Sequence, residues 1–404
     1  MKTRRVTLNI QYDNADISND IKEYITAYSY TDVASGSSDD LNITVENRDK
    51  KWMDTWSPDK GAKLITSIAI SDWDKEGDSQ VLECGKFVID DLSFSGAPFT
   101  ASIGALSIPV NMGFKDTKNS KVWQGVSLNA IASEIATNAG IELFFDGEDI
   151  VIGDIEQQDK SDSEFLYGLC KDYGMALKVY SEKLVIFSEM AYEAKEPVAT
   201  ISVNDMEKFS LNDTLTGIYT GAKLSYSNPK DNNLIEVTIG EGSKFLELSE
   251  KVDDIKDAER KATSKLRAEN KKATTLKFTA MGNIKVIASC VISITGLNKY
   301  DGKYYVDKVV HNVGSGGRYV INVDSHKILV PIIPPEPPAP VGTEYVVKSG
   351  DNLWNIARTF LGAGKRWGEI YEINKEVIQA EAAKRNKPGD GNWIWPGMVL
   401  IIPN

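Results

Sequence analysis

Apolar and polar residues alternate through the first part of the chain, as in Leu41-Asn42-Ile43-Thr44-Val45-Glu46. A period of two places one side chain in a core and the next in water, which is the pattern of a half-buried strand. Residues 6–12, 25–30, 41–46, 64–71, 81–91 and 99–106 read as strands separated by turn residues, so residues 1–118 predict a β-barrel or sandwich. The period then changes. Ser127 is placed to cap a helix with Leu128, Ile131 and Ile135 on one face, ending at Asn138-Ala139-Gly140. Ser161-Asp162-Ser163-Glu164 is a capping box opening a second helix that carries Phe165, Leu166, Leu169 and Cys170 and stops at Tyr173-Gly174. With strand segments at 141–145 and 176–187, residues 119–195 predict a small α+β insertion. Strands return at 198–240 and 274–323, giving a second β domain over 196–330. A helix at 249–270 lies between them, with Val252, Ile255, Ala258, Ala262 and Leu266 as an apolar stripe expected to pack on that domain.

Residues 331–340 form the one Pro-rich tract, Pro331-Ile332-Ile333-Pro334-Pro335-Glu336-Pro337-Pro338-Ala339-Pro340. Such a tract favours extended polyproline II, so residues 331–343 read as a linker reaching roughly 40 Å. Beyond it, residues 344–404 have their own pattern. Tyr345-Val346-Val347 is a short strand, Gly350 permits a tight turn, and Asp351 is placed to cap a helix with Leu353, Ile356, Ala357 and Phe360 in phase. A second helix carries Trp367, Ile370, Tyr371 and Asn374, and a closing strand at 399–402 follows the Pro396-Gly397 turn. This βααβ order, with Val347-Lys348-Ser349-Gly350-Asp351-Asn352-Leu353 at its start, resembles a LysM domain. A long charged insertion at 379–392 departs from the usual module.

The 404 residues carry a formal charge of −12, which argues against a nucleic-acid-binding surface, since duplex affinity rests on cations neutralising phosphates. No stretch reaches the roughly 18 apolar residues a membrane span needs, and the start lacks the apolar region of a secretory signal. Synthesis in the cytoplasm without export, and no membrane partner, are therefore expected. Cys84, Cys170 and Cys290 are far apart and show no metal-ligand spacing, so free buried thiols are expected. His311 and His326 are the two histidines, and neither sits in a recognisable triad or zinc pattern. His311 reads as a strand residue with its ring satisfied. Gly314-Ser315-Gly316-Gly317 lies between two strands and reads as a hairpin loop, not a phosphate cradle. No catalytic residue, cofactor or metal is expected.

Four segments taken in order carry a second resemblance. They are Ser38-Asp39-Asp40-Leu41 with Pro58-Asp59-Lys60-Gly61; Gly85-Lys86-Phe87-Val88-Ile89-Asp90; Trp123-Gln124-Gly125-Val126-Ser127-Leu128; and Ser161-Asp162-Ser163-Glu164-Phe165-Leu166. A fifth is Gly302-Lys303-Tyr304-Tyr305-Val306-Asp307. Together they resemble the tail hub proteins of bacteriophages, the late control gene D family, which includes the hub part of type VI secretion spikes. The resemblance implies a homotrimer in a phage virion or tail-like particle. Each subunit would give two β-barrels to a ring between a sixfold tail tube protein and a threefold spike protein, beside other baseplate proteins. The LysM resemblance implies baseplate docking or peptidoglycan binding, with a glycan groove between Gly350, Asp351, Asn352 and Leu353 on one side and Trp393 and Ile394 on the other. Filling the core of this small domain is the alternative role for Trp354, Trp367, Trp393 and Trp395; it is expected of Trp367, and Trp393 is open to either role. The rival reading is a tail-associated cell-wall hydrolase targeted by LysM.

Overall fold

The computed structural model describes residues 3–107, 113–227, 234–328, 342–385 and 387–403. The chain divides into two units, Met1–Ile332 and Ile333–Asn404. In the first, alternation becomes strand: β1 (Arg5–Tyr12), β2 (Ala15–Asp16), β3 (Ile25–Val33), β4 (Asp40–Glu46), β5 (Lys63–Ser71), β6 (Ser79–Ser95) and β7 (Thr100–Leu106). Leu41, Ile43 and Val45 of β4 all point inward, as the period of two requires. The 17-residue β6 shifts register against β5 and again against β7. Gly85 sits near the first shift at φ +104°, where a Cβ would lie 3.1 Å from the Tyr180 ring.

The next segment is a compact α+β insertion. It contains β8 (Lys118–Trp123), β9 (Val126–Ser127), α1 (Leu128–Ala139), β10 (Glu142–Asp146), β11 (Val151–Ile152), β12 (Ile155–Ser161), α2 (Asp162–Asp172), β13 (Met175–Tyr180), β14 (Lys183–Ser188) and α3 (Glu189–Glu193). Both main helices start where the sequence places them. Ser127 Oγ accepts from Ala130 N at 3.2 Å, and Ser161 and Glu164 make both reciprocal bonds of the capping box. Their apolar faces pack on the three-stranded sheet β10-β14-β13, in which β10 and β14 are parallel. The short ladders β8–β12 and β9–β11 carry too little alternation to be read from sequence.

The second strand set is β15 (Ala199–Ser202), β16 (Met206–Asp213), β17 (Gly221–Ser227), β18 (Leu234–Gly240), β19 (Phe245–Leu248), β20 (Thr274–Met281), β21 (Val291–Thr295), β22 (Gly302–Gly314) and β23 (Tyr319–Lys327). Two expectations change here. The two β domains do not form separate barrels. They share one 13-stranded sheet, whose main order is β16-β20-β23-β22-β3-β4-β7-β6-β5-β1-β2, and this path does not close on itself. The joint is β22, which pairs with β21 through Gly302–Tyr305 and with β3 through Lys308–Gly314, so one hydrophobic core runs under both strand sets. The helix also differs. It begins only at Ile255, as α4 (Ile255–Asn270) with Asp254 as its cap, and its Ala258, Ala262 and Leu266 pack on β18-β17-β19 in a core separate from that sheet. The turn Gly314–Gly317 joins β22 to β23 as a hairpin.

The second unit holds β24 (Gly342–Val346), α5 (Leu353–Phe360), α6 (Trp367–Lys384) and β25 (Val399–Pro403). The two strands pair antiparallel, and both helices bury Leu353, Ile356, Ala357, Ile370 and Ile378 against Leu400 and Ile402. Gly342 and Thr343, counted with the linker above, belong to β24, while residues 331–341 lie outside the described residues. The expected insertion at 379–392 is partly helix, because α6 runs to Lys384.

Candidate functional site

The loop entering α5 is built from four residues with different jobs. Gly350 is exposed at φ +91°, with nothing within 4 Å of where a Cβ would stand. Asp351 is not the helix cap. Its carboxylate accepts from the Tyr345 hydroxyl and the Lys348 amide, each at 2.7 Å, and these bonds hold it below the ordinary aspartate range. The cap is Asn352, whose Oδ1 accepts from Asn355 N at 2.8 Å. Leu353 is only 2% exposed, so its side chain is core and the loop offers a ligand its backbone there.

The second loop lies against the first. Gly391, at φ +83°, stands so close that a Cβ would be 2.8 Å from the Tyr371 ring, 3.1 Å from Trp367 and 3.3 Å from Leu353 Cδ1. Tyr371 fixes this loop further by donating its hydroxyl to Gly389 O at 2.7 Å. Trp393 is 44% exposed, with the Lys387 ammonium 4.8 Å from its ring centre, and Ile394 is partly buried against the module core. Trp367 and Trp395 pack on that core. Trp354 does not, being 52% exposed with its indole lying over Gly364. The physical reason is that position 354 falls off the 353/356/357 face. Phe360, in phase with that face, is nevertheless 47% exposed and meets the Tyr345 ring edge-on.

A few charged groups of the first unit are buried in structural joints. Lys178 lies 2.5 Å from Asp32 and 3.2 Å from Asp39, all three buried. Burial pushes Asp39 up to about 7 in spite of the Lys178 charge. His326 Nδ1 meets Asp307 at 2.9 Å and its Nε2 faces Glu193 at 3.5 Å; Glu193 also pairs with Arg267 at 2.5 Å. His311 Nδ1 bonds the Tyr319 hydroxyl at 2.7 Å, and burial lowers this ring to about 4. Cys84 and Cys170 are buried and Cys290 is partly so; burial raises each thiol to about 12. Among the described residues no group of three or more His, Cys, Asp or Glu is placed to hold a metal ion, and no helix is long and apolar enough to cross a membrane.

A mainly β scaffold with α+β satellites, carrying a small βααβ module with half-exposed indoles at its loop face, is the class these two units define. Residues 345–381 match the LysM domain family, and residues 154–324 match the YQBQ-like family. The chain shares its fold with the tail protein from Neisseria meningitidis MC58, at a TM-score of 0.61 and 10% identity over 81% of this chain and 98% of that one. It also shares it with the 43 kDa tail protein of prophage MuSo2 from Shewanella oneidensis, at 0.60 and 12% over 82% and 99%. A 59-residue stretch is 42% identical to the uncharacterized protein YqbP of Bacillus subtilis (strain 168), covering 15% of this chain and 26% of that relative. The chain thus spans about a quarter of that relative's length. It has the fold of phage tail proteins and carries a LysM domain at its C-terminus.

Proposed function

We propose that this chain is a structural baseplate hub of a phage tail or tail-like contractile particle. Three copies form the adaptor between a sixfold tube protein and a threefold spike protein, in contact with other baseplate proteins. The observation that carries the reading is the shared fold with two tail proteins, covering nearly the whole of each. The single continuous sheet supports it too, because a scaffold that transmits load between two assemblies gains from one shared core. Counting hub copies per purified particle tests this, with three expected. Any other number removes the trimer. A zymogram on purified cell walls addresses the hydrolase reading; a cleared band from the purified chain would establish it.

The LysM module binds peptidoglycan through the face formed by Gly350, Asp351, Asn352, Leu353, Trp393 and Ile394. The half-exposed indole of Trp393 beside the α5 loop supports this, since a small domain short of apolar area would otherwise bury it. Binding is expected to fall in Trp393→Ala. Asn352 needs a subtler change, because Asn352→Ala also removes the helix cap; Asn352→Asp keeps a capping oxygen and isolates the ligand contact. If wall binding is absent and particles fail to assemble without the module, the module is a docking element inside the baseplate.

A further inference from the structure

The segment from Glu381 to Asp390 carries three cations, Lys384, Arg385 and Lys387, against two carboxylates, in a chain whose net charge is −12. The partners are divided unequally. Glu381 serves both Lys384, at 3.1 Å, and Arg385. The Asp390 oxygens accept from Asn392 N at 3.0 Å and Asn392 Nδ2 at 2.8 Å. Among the described residues no carboxylate lies within 4 Å of the Lys387 ammonium, which instead stands 4.8 Å from the centre of the Trp393 ring.

Its place is set by the chain on both sides. Lys387 N donates to Ala382 O at 3.0 Å, tying the segment to the end of α6, and Gly391 is wedged against Leu353 and Trp367 further on. A cation attracted to an indole face spends much of its time there, so the charge is held beside the ring and stays hydrated enough to meet an anion. The ammonium covers part of one face of Trp393 and leaves the rest of the half-exposed ring to a sugar.

We propose that Lys387 and Trp393 form a cationic subsite that takes an anionic substituent of the wall glycan, a carboxylate or a phosphate, beside the sugar stacked on the indole. This rests on the glycan reading of the module. An ammonium is a compact point charge that accepts either anion without demanding bidentate geometry, whereas a neutral oligomer of N-acetylglucosamine offers it no charged partner. One exposed ion pair is worth about a two- to fivefold gain in affinity.

The test titrates the full chain with three probes: neutral N-acetylglucosamine hexamer, a muropeptide with free stem carboxylates, and a wall fragment retaining its phosphodiester polymer. The expected result is a preference of about two- to fivefold for a charged probe, lost in Lys387→Gln, kept in Lys387→Arg and shrinking as salt rises. The probe that carries the preference identifies the anion as carboxylate or phosphate. Because Lys387 is exposed, its truncation should leave the melting profile unchanged, which the same samples report. Binding whose charged-to-neutral ratio is the same in Lys387→Gln overturns this proposal and leaves the glycan reading standing. No binding of any probe by the unaltered chain overturns both.

Discussion

His326 is 2% exposed and enclosed by charge from three parts of the fold: Asp307 on β22, Glu193 on α3, and, around Glu193, Arg267 on α4 and Lys271 just past its end. Burial alone would lower its pKa, yet the bond to Asp307 and the Glu193 carboxylate 3.5 Å away outweigh burial and raise it to about 9. A histidine whose folded pKa exceeds its unfolded value contributes stability that is fully present below about 6.5 and is lost as pH rises through about 9. The first unit should therefore weaken across that window, by on the order of 3 kcal/mol from this ring. Urea denaturation of the full chain at a series of pH values checks it, with His326→Gln expected to be less stable at pH 6 and flatter above. Asp39 acts lower, since its raised pKa makes the fold lose stability as pH climbs toward about 7. Neither joint was legible in the sequence. Lys178 and Asp32 are 146 positions apart, and nothing local to either marks it as buried.

Helix ends were the most readable elements, because a cap is a short-range bond between residues three apart. Ser127, Ser161 and Glu164 do what their spacing implies, and Gly140 closes α1 at φ +69°. Asp351 and Asn352 compete for one role, and the fold gives it to Asn352 because Asp351 is already engaged by Tyr345 across the turn. Asn374 shows a different limit. Its helical phase predicts that it faces the core, but its purpose depends on β25, some 27 residues away. Its amide nitrogen donates to Ile370 O at 2.7 Å and Ile401 O at 2.8 Å, and its oxygen accepts from Ile401 N at 2.7 Å. This clamp ties α6 to the closing strand. Asn374→Ala should cost about 2–3 kcal/mol, from lost bonds and the Ile401 groups left unpaired. Faster hydrogen exchange at the Ile401 amide, together with a lower melting temperature for the module, is the expected signature.

The chain's division into Met1–Ile332 and Ile333–Asn404 has a direct consequence. Removing residues 342–404 should leave the first unit folded with its melting temperature unchanged, as expected when a core is complete within its own unit. A fall of many degrees in scanning calorimetry would mean that the module completes the core of the first unit. Local pattern was enough to find β1 and β3 to β7, the two capped helices of the insertion and the βααβ order of the module, but not the two-residue β2. Each rests on contacts within a few positions, where periodicity, caps and turn residues act. Strand partnership is another matter. The alternation in β22 and β3 is satisfied equally by two separate barrels or by one shared sheet, and the choice rests on the pairing of Lys308 with Val33 and its neighbours. The same holds for α4, whose apolar stripe needs a partner but does not say which, and which settled on β18-β17-β19. Burial follows the same rule: the loops that bring Gly391 against Leu353 are almost forty residues apart, so the exposure of Trp393 was open until the chain had closed around it. Hydrophobic patterning specifies that a face must be covered; only long-range packing specifies by what.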